Sequence, residues 1–458
     1  MESPSKELNM IKKLKNILQL LKHIDLEQLD ALSKKVDIPT LMKGMSKMSD
    51  GQLKGLEKLL AGDRKKRQAP AIDADFYDMD AKLSADDRAL QLKVREFLER
   101  EIKPVVNKYW LHDEFPFEII PKLAELDVCG YVYKGYGCAG GTSLMDGVIA
   151  AEFGRIDPSI ATFLGVQSGL AMGSIYMCGS EEQKQEWLPK MQRLEKIGAF
   201  GLTEPEVGSG TAGGLTTTCR KTDEGWVLNG QKKWIGNSTF SDMTIIWARD
   251  VDDNQVKGFI VRKDNMGFMV EKIKGKMALR IVQNGLITLT DCLVPESDRL
   301  PLANSFKDTA KVLQMTRAGV AWMAVGCARG AYENALDYTL KREQFGKPIA
   351  SFQLIQNHLV EMLSNLTAMQ TLVFRLSELQ DEGKLKDEHA SLAKVFCTLR
   401  TRDIVSRARE VMGGNGILLE YNVARFLADA EAIYSYEGTK EINSLIVGRS
   451  ITGISAFV

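Results

Sequence analysis

The sequence has 458 residues, 60 Lys and Arg against 60 Asp and Glu, 44% hydrophobic and 26% charged residues, which suits two to four folded domains and excludes a disordered chain. Zero net charge argues against a nucleic-acid binder, and 39 Gly with 12 Pro exclude a collagen-like repeat. The neutrality averages two unlike parts, because residues 1–70 hold 15 Lys and Arg against 9 Asp and Glu and the remainder holds 45 against 51.

The basic part comes first. Met10, Leu14, Ile17, Leu21 and Ile24 recur at helical spacing with Lys12, Lys13, Lys15 and Lys22 between them, and Leu26, Leu29, Leu32 and Val36 repeat the pattern, as do Leu53, Leu56, Leu59 and Leu60. Two readings follow: a helical hairpin on the protein's own surface, or an arm that docks a partner or an anionic membrane surface. Residues 62–70 carry a charged run and Pro70 and read as a linker. The start lacks a signal-peptide apolar run, Glu2 and Glu7 disfavour a transit peptide, no run of 18 apolar residues occurs, and Ser455-Ala456-Phe457-Val458 is not a peroxisomal address. A cytoplasmic location is the expectation.

From Ser84-Ala-Asp-Asp a helix is predicted through Leu90, Leu92, Val94 and Phe97, with further helices over 117–126, 145–155 and 181–194. After Phe200 the text turns to short β-rich runs: Trp226-Val-Leu, Thr244-Ile-Ile-Trp-Ala, Gly258-Phe-Ile-Val, Phe268-Met-Val and Leu286-Ile-Thr-Leu. Asn229-Gly230 and Asp252-Asp-Asn punctuate them as turns. Helix formers then dominate 326–340, 352–379 and 389–411. This order predicts an α+β chain rather than one doubly wound sheet: an extension and linker (1–70), a helical domain (71–198), an antiparallel β domain (199–304) and a second helical domain (305–458).

Gly135-Tyr-Gly137-Cys-Ala-Gly140 fits a dinucleotide fingerprint by letter, but helical text surrounds it and no second parallel strand follows, so it reads as a tight loop. Seven scattered cysteines without C-x-x-C fit a reducing compartment. His23, His112, His358 and His389 lie too far apart to suggest a metal site, and no G-x-S-x-G elbow occurs. Two glycine-rich stretches, 200–210 and Met412-Gly413-Gly414-Asn415-Gly416, offer backbone to a phosphate, and Glu437 precedes a glycine in Tyr436-Glu437-Gly438-Thr439.

Taken in order, Gly201-Leu-Thr-Glu-Pro, Asn229-Gly-Gln-Lys-Lys-Trp-Ile-Gly-Asn-Ser, Arg342-Glu-Gln-Phe-Gly-Lys-Pro, Met412-Gly-Gly-Asn-Gly and Tyr436-Glu-Gly-Thr resemble the acyl-CoA dehydrogenase and oxidase flavoprotein family. Ile281-Val-Gln-Asn-Gly and the ending Gly448-Arg-Ser-Ile-Thr-Gly-Ile-Ser-Ala-Phe resemble its glutaryl-CoA dehydrogenase branch and the plant short-chain acyl-CoA oxidases. The resemblance implies a helical domain, a β-barrel-like middle domain and a C-terminal four-helix bundle. It also implies FAD, an acyl-CoA substrate oxidised to the trans-2-enoyl thioester, an electron-transfer flavoprotein as acceptor, and a homotetramer. It makes Glu437 the base that takes the α-proton. It places Leu202, Thr203, Trp234 and Gly236 around the flavin ring, and Glu410, Gly413, Gly414 and Thr439 along the pyrophosphate. Arg342, Phe345 and Gln353 would reach the FAD of a neighbouring subunit, and Ser209, Arg317 and Gly438 would lie on the substrate side. Some relatives carry the base on the helix that here holds Thr316, which cannot accept the proton.

Three departures qualify the likeness. Ala161 stands where glutaryl-CoA dehydrogenases carry an arginine for the distal carboxylate, with Gly165 at a nearby serine position, which disfavours glutaryl-CoA. Gly236 replaces the usual Thr or Ser, as in the plant oxidases, and Gly210 replaces the usual Asp. A short or medium chain acyl-CoA dehydrogenase is therefore expected; the alternatives are an acyl-CoA oxidase that reduces O2 and a binding homologue without catalysis.

Overall fold

The computed structural model describes residues 43–44, 47–49, 51–52 and 74–457, and the chain divides into two units, Met1–Ala71 and Ile72–Val458. The amphipathic helices expected over 10–36 and 53–60 and the linker at 62–70 lie outside the described residues.

The second unit begins with helices α1 (Ala85–Phe97), α2 (Val106–His112) and α3 (Ile119–Ala124), a hairpin β1 (Lys134–Gly135) and β2 (Cys138–Ala139), then α4 (Ser143–Ile156), α5 (Pro158–Gly165), α6 (Gly173–Cys178) and α7 (Glu181–Gln192). Side-chain caps start α1 and α5: Ser84 accepts from Asp87 N at 3.1 Å, as its sequence signals, and Asp157 accepts from Ile160 N at 2.8 Å. The letter-perfect fingerprint is the β1–β2 hairpin, whose two turn residues, Tyr136 and Gly137, both have positive φ.

A π-helical segment, Val166–Met172, joins α5 to α6. The whole run Pro158–Cys178 is long and apolar enough to cross a bilayer by length and composition. It is nonetheless a core helix, with Ile160, Phe163, Ala171 and Ile175 buried. The π geometry disturbs the helical ladder, and Tyr133 donates to Ser168 O at 2.8 Å; the Gln167 side chain ties the segment to its neighbours, donating to Met191 O at 3.0 Å and Lys196 O at 2.8 Å and accepting from Gly198 N at 2.7 Å.

The middle part curls a seven-stranded sheet, β3 (Gly198–Gly201), β4 (Thr218–Thr222), β5 (Gly225–Ile235), β6 (Met243–Asp250), β7 (Val256–Arg262), β8 (Phe268–Lys272) and β9 (Gly285–Val294), in the order β3-β6-β4-β5-β9-β8 with β7 also on β6. Helix α8 (Thr211–Gly214) lies between β3 and β4. Trp226, Leu228, Phe259 and Ile287 share one buried cluster. The sheet is not wholly antiparallel as expected, since β6 runs parallel to both β3 and β4. A parallel neighbour needs a crossover connection, which is invisible in strand text. Nor does Asn229-Gly230 turn the chain: it lies inside β5 at a register shift against β9. A Cβ at Gly230 would stand 2.7 Å from Thr217 Cα, so the glycine serves a bulge and a close backbone approach.

The C-terminal part contains α9 (Phe306–Lys341), a hairpin β10 (Glu343–Gln344) and β11 (Lys347–Pro348), α10 (Gln353–Asp381), α11 (Asp387–Val411), α12 (Val423–Ser435) and α13 (Lys440–Thr452). Gly326 and Gly330 let α9 lie against α4, because a Cβ at either would collide with the carbonyls of Ala151 and Arg155. Buried ion pairs tie the same elements together: Arg155 to Glu333 at 2.9 Å and Arg425 to Asp157 at 2.5 Å. α4, α5, α9 and α12 thus form one rigid frame around the Glu437 turn.

Candidate active site

α12 stops at Ser435, and the chain turns through Tyr436, Glu437 and Gly438 before Thr439 caps α13 by accepting from Ile442 N at 3.3 Å. Glu437 has φ 56° and Gly438 φ 85°; a left-handed glutamate costs energy and persists only where its surroundings enforce it. Three groups do so. Lys394 of α11 donates to Tyr434 O at 2.8 Å and to Gly438 O at 2.6 Å. Asn443 of α13 donates to Gly438 O at 2.8 Å and Thr439 O at 3.1 Å. Thr316 of α9 donates to Glu437 Oε2 at 3.0 Å. The backbone N–H of Glu437 forms no hydrogen bond among the described residues.

Burial pushes the Glu437 carboxyl above its ordinary range, and the Thr316 hydroxyl, Arg317 and Lys394 pull it back. Burial likewise pushes Lys394 down to about 8, against the pull of Glu437. Arg317 is ion-paired with Asp387 at the start of α11, and its buried Nε has no hydrogen-bond partner. The result is a half-buried carboxylate of raised basicity beside an unused N–H, which can take a proton and steady a neighbouring oxygen.

A second cluster stands at the end of β3. Leu202 O accepts from Lys232 at 3.1 Å, and Thr203 O from Lys233 N at 2.8 Å. Lys232 also meets Glu204 at 2.8 Å, and Glu204 takes the N–H groups of Thr216 and Thr217 at 2.7 and 2.9 Å. Burial would raise the Glu204 carboxyl, but Lys232 and Thr216 hold it down at about 2. This fully buried pair fixes the Leu202–Thr203 backbone. Trp234 has φ 66°, its carbonyl accepts from Asn284 Nδ2 at 3.1 Å, and the residue is 53% exposed. A Cβ at Gly236 would lie 3.3 Å from Val166 Cγ2 and 3.5 Å from Val282 Cγ1.

The remaining expected residues stand apart. Arg342 and Phe345, the latter 92% exposed, lie on the β10–β11 hairpin region, and Gln353 begins α10. Glu410 closes α11, with Oε1 3.7 Å from His358 Nε2. Cβ atoms built on Gly413 and Gly414 would meet nothing. Ser209 is exposed in the loop before α8. Among the described residues none of these hydrogen bonds to the Glu437 turn.

Sequence reasoning missed Lys394, Asn443, Asn284 and the Lys232–Glu204 pair, and it dismissed Thr316 as a base without seeing it as a donor. One signal was present for Lys394: it interrupts the small-residue stripe Ala390, Ala393, Cys397 and Thr401, where a lysine must be buried or the helix misplaced.

Family models for the acyl-CoA dehydrogenase N-terminal, middle and C-terminal domains match residues 84–195, 199–292 and 306–452. An acyl-CoA dehydrogenase of Bacillus subtilis is 34% identical over 365 residues, 79% of this chain and 96% of its own length. A subunit of the caffeyl-CoA reductase-Etf complex of Acetobacterium woodii is 31% identical over 370 residues, 80% of this chain and 97% of its own. The crystal structure of a glutaryl-CoA dehydrogenase from Mycobacterium smegmatis in complex with FADH2 is similar at TM-score 0.81 and 36% identity, covering 83% of this chain and 98% of that one.

Proposed function

This chain belongs to the acyl-CoA dehydrogenase family, and we propose that it oxidises the Cα–Cβ bond of a short or medium chain acyl-CoA to the trans-2-enoyl thioester and passes the electrons to an electron-transfer flavoprotein. It is an FAD-dependent oxidoreductase, and the bound flavin supplies the acceptor for the hydride that leaves Cβ. The residues present suit that cofactor. The pinned Leu202–Thr203 backbone and the Trp234 ring offer two faces for the isoalloxazine, and Gly413 and Gly414 leave their backbone unobstructed for a pyrophosphate. The exposure of Arg342, Phe345 and Gln353 suits reach into a second copy's cofactor and hence the homotetramer.

The observation that carries the reading is the Glu437 turn. Its carboxylate takes the α-proton, and its free N–H, with the flavin side of the site, receives the thioester oxygen as negative charge develops there. Burial makes the carboxylate a stronger base toward a weak carbon acid, while Thr316, Arg317 and Lys394 favour its ionised form. Gly438 removes any side chain that would crowd the thioester, and Ser209 and Arg317 border the substrate side. Ala161 is buried and apolar, so a distal carboxylate at that point would lack a counter-ion.

Anaerobic titration of the purified protein with a panel of acyl-CoAs tests the reading through bleaching of the flavin. Gly236, which brings no hydroxyl between Val166 and Val282, favours a second reading as an O2-reducing oxidase. Admitting air separates the two: slow reoxidation supports the dehydrogenase, and fast reoxidation with peroxide release supports the oxidase. Bleaching by no thioester would leave the binding homologue. We place the enzyme in the cytoplasm, with residues 1–70 as an arm for a partner or membrane surface.

A further inference from the structure

The space beside Glu437 has a defined end. α5 and the π segment run antiparallel to α9 and face it through glycines. A Cβ at Gly169 would lie 3.1 Å from Thr316 Cγ2, and one at Gly165 would lie 3.8 Å from Met323 Cε. Between these two rungs stands Gly319, where an added Cβ would meet nothing within 4 Å. The gap therefore begins at Thr316, whose hydroxyl holds the Glu437 carboxylate, and closes at Met323, which is 6% exposed.

Met323 does not behave as an adaptable methionine. The Tyr436 hydroxyl donates to its sulfur at 2.9 Å, and the Thr162 oxygen, whose proton goes to Pro158 O at 2.8 Å, packs against that sulfur at 3.6 Å. The hydrogen bond comes from the residue immediately before Glu437 and the packing contact from α5, so Met323 and Glu437 are fixed to each other.

Building on the acyl-CoA reading above, we propose that Met323 is the floor of the acyl slot and that it restricts the enzyme to thioesters of roughly four to six carbons. Thr316 and Met323 are seven residues apart on α9, a rise of about 10 Å. A methionine on a helix leans back over the preceding turn, which removes about 5 Å and leaves length for roughly four carbons beyond Cα. Thr162, Gly165, Gly169, Gly319, Met323 and Tyr436 carry no charge, so the slot suits an alkyl tail and not a dicarboxylate.

The test compares the FAD-loaded wild type with Met323→Ala. Two readouts are taken across four, six, eight and twelve carbons: anaerobic flavin bleaching by saturated acyl-CoAs, and calorimetric affinity for the matching trans-2-enoyl-CoAs, which need no turnover. The wild type is expected to favour butyryl- and hexanoyl-CoA over octanoyl-CoA by at least ~10-fold, the scale of a misfit methylene in an apolar pocket. Met323→Ala is expected to raise the octanoyl-to-butyryl ratio by a similar factor in both readouts. An equal response of the wild type to all lengths, or an unchanged ratio in a yellow Met323→Ala protein, overturns the proposal. Gly319→Val, which fills the same gap from its middle, is expected to lose hexanoyl- before butyryl-CoA; retention of both overturns it independently. Failure of every acyl-CoA to bleach the wild type would instead refute the dehydrogenase reading, so the two failures are distinct.

Discussion

The Lys394 ammonium lies 2.6 Å from the carbonyl oxygen of Gly438, and it reaches Tyr434 O on the other side of Glu437 at 2.8 Å. The lysine thereby brackets the segment that carries Glu437. Lys394→Met removes both hydrogen bonds; Gly438 O keeps the Asn443 amide, while Tyr434 O loses its side-chain donor, at a cost of ~1–3 kcal/mol. We expect a lower unfolding midpoint and flavin reduction slowed by ~10-fold or more, because a small displacement of a reacting group is expensive. Stopped-flow reduction at the wild-type rate would show that the bracket does not position Glu437.

Thr316 and Glu437 make a different prediction. With the hydroxyl gone, burial of the carboxyl is less offset, and Arg317 and Lys394 remain the only groups that favour its ionised form. The base must be deprotonated to act, so activity rises with pH through its pKa. Thr316→Val should move that rising limb of kcat/KM to higher pH, and Thr316→Ser should restore it. A limb at the same pH in all three proteins would contradict the account.

Much of this site was readable from residues that signal locally. Ser84 caps the helix that its neighbours predict, and the glycine after Glu437 marks a turn that accepts positive φ, whereas the helix capped by Asp157 is not among those the sequence predicts. What stayed hidden depends on residues far apart in the chain. Asn229-Gly230 carries hairpin chemistry but is used for a bulge, because β9 and Thr217 occupy the space a turn would need. The parallel neighbours of β6 follow from connection geometry. Thr316, Lys394 and Asn443 come from three helices, and nothing near them in sequence says that they converge on one turn. Met323 reads as ordinary core until its contacts with Tyr436 and Thr162 are seen.

The buried Lys232–Glu204 pair fixes the loop that presents Leu202 and Thr203. Lys232→Met leaves Glu204 buried with only the donors of Thr216 and Thr217, and loss of one partner of such a pair costs ~3–5 kcal/mol. The variant should unfold at lower denaturant concentration and purify with less flavin. Full flavin content at wild-type stability would show the pair to be dispensable.

Asp429 offers a pH test of the frame. Its Oδ1 accepts from Leu279 N at 2.6 Å and Trp110 Nε1 at 3.0 Å, while its buried Oδ2 has no partner. Burial, aided by the charge of Asp157, pushes the carboxyl from 3.8 to about 7. Across that window the folded state binds more protons than the unfolded state, so this group's contribution to stability falls as pH rises. Asp429→Asn keeps Oδ1 and cannot ionise; its stability relative to wild type should therefore improve from pH 5 to pH 8 in urea titrations. A difference independent of pH would remove the effect.

Glu437 is the group we propose takes the α-proton. Glu437→Gln keeps the size of the side chain and its contact with Thr316 but not its basicity. The most direct measurement is the anaerobic rate of flavin reduction by butyryl-CoA in the FAD-loaded variant. A folded, yellow protein is expected whose reduction is slower by ~10²-fold or more; reduction at the wild-type rate would show that another group takes the proton.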